Sequence, residues 1–167
     1  MERNAMIKIM AETYYKYLHS LDFDDEYFMA GASEGKRKFL ANLHIHLIKK
    51  TQPTGWKERR FSTDYVTKDA LEILKGKSYT GLIYEHMVPK TKYIQEVCEL
   101  RARGKSLTLE FVMELLDTYL WTATVTEEED AKLNKVAMPD GWDLINIMAR
   151  YEAAGIELIV HNKVYMV

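Results

Sequence analysis

Apolar residues recur at helical spacing along most of this chain. Ile7, Met10, Tyr14, Leu18 and Leu21 form one stripe within residues 3–21, the pattern of a helix with a single buried side. The acidic run "DFDDEYF" (22–28) interrupts it. A second helix is expected from near Ser33, with Phe39, Leu40, Leu43 and Leu47 inside. Pro53 and Gly55 mark "TQPTGWKERRFSTD" (51–64) as loop. Thr67 is placed to cap a short helix through Leu71 and Leu74, ended by Gly76.

The pattern changes at "YTGLIYEHMVP" (79–89), whose aromatic and β-branched residues favour a strand. Pro89 ends pairing or opens a helix at its first turn. Residues 90–103 suit a helix that buries Ile94, Val97 and Cys98 and stops at Gly104. Thr108 is a cap for the next, with Phe111, Val112, Leu115, Leu116 and Tyr119 inside. "LWTATV" (120–125) reads as a strand. Thr126 and Glu129 have capping-box spacing, so a helix starts there. "MPDGWD" (138–143) is a turn, with Asp140 a cap for a helix that carries Leu144, Ile147, Met148 and Tyr151 and ends at Gly155. In "IELIVHNKVYMV" (156–167) two β-rich runs flank His161-Asn162, which predicts a hairpin. The expectation is a mostly helical α+β fold, a single domain over 1–167, with a few short strands and a C-terminal β-hairpin.

Composition narrows the function classes. A chain of 167 residues with 23 Lys+Arg against 25 Asp+Glu has a net charge of -2, which argues against a generally basic nucleic-acid coat while leaving room for a local patch. One cysteine, Cys98, allows no internal disulfide and no Cys-based zinc site. No apolar run is long enough to span a bilayer, and the N-terminus lacks the apolar core of a signal peptide. A cytoplasmic location, in the protein's own cell or a host, and no membrane partner are expected.

The stretch "YEHMVPK" (84–90) carries the candidate chemistry. An acid next to a histidine, followed by an aliphatic residue and a proline, resembles the first-strand motif of the HNH, or ββα-metal, nucleases. The resemblance rests on Glu85, His86, Val88 and Pro89 and extends at most over residues 80–135. It implies that His86 is the general base that activates water and that Glu85 is a metal-binding acid. "LWTATV" would be the second strand and "TEEEDAKLN" (126–134) the metal helix, with Glu129, Asp130 and Asn134 as further ligands. The family's usual Asn and terminal His on that helix are replaced here by acids and one Asn. Hard oxygen ligands of this kind suit Mg²⁺ or Mn²⁺, and imidazole suits deprotonation of water near neutral pH. The alternative is that His86 hydrogen-bonds the backbone at a strand end. The acids of 127–130 would then only complement a helix dipole.

A second candidate is "KKTQPTGWKERRF" (49–61), the best basic and aromatic patch in the chain. Lys57, Arg59 and Arg60 could neutralise phosphates while Trp56 stacks on a base; a solvated loop with a half-buried Trp explains the same residues. His44 and His46 point to different faces if their segment is helical, and so make a poor metal pair. Two function classes follow. One is a small HNH-like metal-dependent nuclease, intact or degenerate, of bacterial or phage origin, with nucleic acid as partner. The other is a non-catalytic protein-binding inhibitor or immunity-type protein from a bacterium or mobile element.

Overall fold

The first stripe does what its spacing predicts. In the computed structural model, which describes residues 2–166, α1 (Arg3–His19) buries Ile7, Met10, Tyr14 and Leu18. It packs against α2 (Glu26–Lys50), α4 (Glu96–Arg103) and α5 (Leu109–Tyr119). Leu40, Leu47, Ile94, Cys98, Val112 and Leu116 complete this helical core. The α2 helix begins earlier than the apolar pattern indicates. Asp25 caps it by accepting from Phe28 N at 2.9 Å. The acids that interrupt the stripe thus start a helix, because carboxylates favour its N-terminus.

The remaining elements build a four-stranded mixed sheet in the order β2-β3-β1-β4. The strands are β1 (Tyr65–Val66), β2 (Leu82–His86), β3 (Thr122–Thr126) and β4 (Ile159–Val160). β3 runs antiparallel to β2, with His86 opposite Thr122 and Tyr84 opposite Thr124, and parallel to β1. Thr67 caps α3 (Lys68–Lys75), as its position predicts. Side chains alternate across the strands, so the sheet has two unlike faces. Ala123 and Val125 of β3 join Met87, Leu133 and Tyr151 in one apolar core. The opposite face carries Tyr84, His86, Thr122 and Thr124. Its Val66 and Leu82 pack with Trp56, Phe61 and Leu74 in another core.

Two expectations near the C-terminus are corrected. The helix expected from Asp140 shrinks to α7 (Ala149–Ala153). Leu144, placed on its buried stripe, is 59% exposed with φ 65°. Asp143 accepts from the backbone of Ile145 and Asn146, which holds a turn in place of a helix. The C-terminal hairpin does not form among the described residues. β4 pairs antiparallel with β1 instead. His161, expected in the hairpin turn, is buried between Thr63 and Tyr165; Val167 lies outside the described residues.

Candidate functional site: the His86 cleft

Strand β2 ends at His86, and the turn after it, Met87-Val88-Pro89, is fully buried or nearly so. Pro89 then opens a π turn (Thr91–Gln95) that runs into α4. The strand end therefore forms the floor of a cleft of about 450 Å³, bordered by Glu85, His86, Lys90, Lys135 and Arg150 among others.

Arg150, 3% exposed on α7, organises this region. It donates to the carbonyls of His86 at 2.6 Å, Met87 at 3.2 Å and Asn134 at 2.6 Å, and to Glu85 Oε2 at 3.0 Å. One guanidinium thus ties the strand end to the 131–148 loop and α7. Burial pushes the Glu85 carboxyl above the ordinary carboxylate range, against the opposing pull of Arg150 and Lys135.

His86 points the other way, as its place next to Glu85 in a strand requires. Its ring lies 6.5 Å from that of His44 on α2 and 5.5 Å from that of Tyr84. Its Nε2 is buried with no hydrogen-bond partner. Burial holds its pKa down to about 3, and the neighbouring His44, Lys90, Arg150 and Arg59 all push in the same direction. Arg59 reaches this neighbourhood from the loop, with its guanidinium 5.3 Å from the Tyr84 ring centre. Lys90 is itself lowered by burial and by Arg37. The charged groups that act most on the imidazole are therefore cationic.

The structure separates several residues that the sequence groups together. Glu129 Oε2 accepts from Thr126 N, Thr126 Oγ1 and Thr67 Oγ1 at 2.8–3.1 Å. It completes the capping box of α6 (Glu127–Asp130), a single turn, and is turned to structure. Asn134 Oδ1 accepts from the backbone of Val136 and Ala137. Asp130 lies close enough to act on Glu85 but is ion-paired with Lys135. Mg²⁺ or Mn²⁺ does not fit this arrangement. The two acids that come together are each matched to a cation, and a metal would sit against Arg150 and Lys135. No group of three His, Cys, Asp or Glu side chains among the described residues is placed to hold a metal ion.

The basic loop divides in the same way. Trp56 is 5% exposed and packs edge-on to Phe61 and Tyr165, so it cannot stack on a base; burial decides this. Arg60 folds back onto Leu82 O at 2.6 Å and Glu58 at 2.8 Å. Lys57 is exposed, and Arg59 lies half-buried over the Tyr84 ring.

No protein-family model matches the chain, and neither a curated protein nor a solved structure matches it. Function is therefore argued from the site itself.

Sequence reasoning missed Lys90, Arg150 and His44 as parts of this region. His44 carried a readable signal: it is polar yet shares a helical stripe with Leu40 and Leu47, and it is 2% exposed. Arg150 gave none, because a helix of five residues sets no periodicity.

Proposed function

We propose that this protein binds a phosphate-bearing ligand, the backbone of a nucleic acid, over His86, and that binding needs no metal. The observation that carries this reading is the excess of positive charge on the cleft wall. Lys90, Lys92, Lys135 and Arg150 line it against Glu85 and Glu96, and Lys90, Arg150 and Arg59 are the charged groups that act most on the imidazole. An excess of cations beside a partly dry cleft favours an anion. Lys90, whose Nζ donates to Gln95 Oε1 at 3.1 Å, and exposed Lys92 both stand in the wall, and the cleft volume lies within the range of small-ligand sites.

The same electrostatics bear on catalysis. A general base works best with a pKa near the operating pH, and an imidazole held at about 3 is a weak base. An arriving phosphate would raise that value, so protonated His86 could become a donor to a bound phosphate oxygen. Phosphodiester hydrolysis, the activity that the HNH resemblance implies, is an added step that the same experiment resolves.

The test is fluorescence anisotropy with labelled single-stranded and duplex oligonucleotides at about 50 to about 200 mM salt. Affinity should fall steeply with salt and be unchanged by EDTA. Arg59→Ala and Lys90→Ala should each lower the salt slope by about 1. Absence of binding at low salt refutes the proposal. Binding that requires Mg²⁺ or Mn²⁺, with cleavage of the oligonucleotide, would favour the nuclease instead.

A further inference from the structure

We propose a second ligand site, for a neutral planar heterocycle of nucleobase type, in the cavity between α1, α2 and the start of β1. This cavity holds about 340 Å³. Met6, Leu47 and Ile48 supply apolar wall, and His44, Gln52 and Asp64 supply polar groups. None of these is a residue of the phosphate proposal, so either proposal can fail alone.

Gln52 follows directly on α2, where the chain turns into the loop. Its Nε2 and Oε1 are both buried, and neither has a hydrogen-bond partner among the described residues. A buried amide with its donor and its acceptor both unspent is rare in a native protein, because each has given up water for nothing. Such a group is explained when something with a matching acceptor and donor occupies the adjoining space.

Asp64 is the second polar group, and it is held in place. Its Oδ2 accepts from Thr122 N at 2.9 Å and Thr122 Oγ1 at 2.8 Å. Its backbone pairs with Thr122 on one side and His161 on the other. The carboxylate is thereby fixed in orientation, and Oδ1 has no hydrogen bond among the described residues. His44 is the third. Its Nδ1 shares a 3.2 Å hydrogen bond with the Tyr84 hydroxyl, which sets the ring, and the residue lines the cavity. Burial holds this imidazole neutral, with its pKa down to about 4.

The set defines the ligand's chemistry. A carboxylate oxygen accepts from an N–H. A carboxamide offers one donor and one acceptor side by side, the geometry with which Gln grips the edge of adenine. Apolar walls take the ring faces, as in most small-molecule sites. An anionic ligand would face Asp64, and a cation would face Arg3 and Lys163, both of which line the cavity and feel the field of Asp64. A neutral ring with an amino group next to a ring nitrogen meets neither penalty.

The test is an NMR titration of the side-chain amide of Gln52, assigned through Gln52→Met, with adenine, cytosine, hypoxanthine and uracil as probes. Adenine or cytosine, which carry an amino group next to a ring nitrogen, should move this amide saturably, and hypoxanthine and uracil, which carry none, should not. Gln52→Met should abolish binding of that base, followed by chemical shifts elsewhere in the cavity, and Asp64→Asn should weaken it by roughly tenfold or more. Unfolding midpoints of both variants establish that they are folded, and the wild-type titration does not depend on them. The proposal is overturned if no base moves the Gln52 amide up to its solubility limit, which would mean that water alone serves it. It is equally overturned if both variants bind as the wild type does.

Discussion

Acidification should unfold this protein through its buried histidines. Burial lowers His44 and His161 from the ordinary 6.5 to about 4 each. Around His44 the facing charges are Asp64, which opposes the shift, and Arg3, which adds to it. Around His161, Lys163 adds to the shift and a bond at Thr63 opposes it. The two rings are 2% and 4% exposed, so water screens them little. In the unfolded chain both take a proton as pH falls through about 6.5, whereas in the folded state they do not until about 4. Stability is therefore full above the unfolded value and is lost as pH falls from there toward the folded one. At about pH 5 each histidine removes ~2 kcal/mol, and the two together remove ~4 kcal/mol, from 1.36 kcal/mol per pKa unit. His86 acts with the same sign. Glu85, raised by burial, acts with the opposite one and regains some stability as it protonates in the fold first. A loss of ~4 kcal/mol is a large share of the ~5–15 kcal/mol that holds a typical domain. Urea unfolding followed by tryptophan fluorescence at about pH 7.5 and about pH 5 measures it. His44→Gln, which keeps a partner for Tyr84, should remove ~2 kcal/mol of the pH-dependent loss. A change below ~1 kcal/mol between the two pH values, or a His44 ring resonance that titrates near 6.5, would refute the reasoning.

Other perturbations separate structural from ligand-facing residues. Arg150→Met should cost ~3–5 kcal/mol in urea unfolding, because it strips three carbonyls and Glu85 of their donor. Arg150→Lys should recover little of that, since an ammonium cannot reproduce the fork. Thr126→Ala should cost ~1 kcal/mol by removing the cap of α6. In the same assay Trp56→Ala should cost ~3–5 kcal/mol, while oligonucleotide affinity, measured where the variant is folded, stays at the wild-type value. Weakened affinity in that variant would return Trp56 to the ligand site.

Local signals were legible in the chain wherever one residue type dictates one geometry. Thr67, Thr108 and Thr126 cap the helices they precede; the stripe of α1 is buried as its spacing requires, and that of α5 buries Val112 and Leu116 with Phe111, Leu115 and Tyr119 partly covered. The strands "LIYEH" and "TATVT" lie where aromatic and β-branched residues place them. Glu85 and His86 mark the cleft, and both border it. What these signals could not reveal is which way each polar group is spent. Glu129 and Asn134 look like metal ligands in a string of letters, yet a capping box and a backbone turn use their oxygens. Trp56 looks like a stacking platform but fills a core with Phe61 and Tyr165. The strand near His161 pairs with β1, a partner almost a hundred residues away, and not with its neighbour. Caps and stripes are set by contacts within a few residues, so the sequence alone decides them. The partners of Arg150, His86 and His161 come from distant segments, and only the packed fold brings those segments within hydrogen-bond reach.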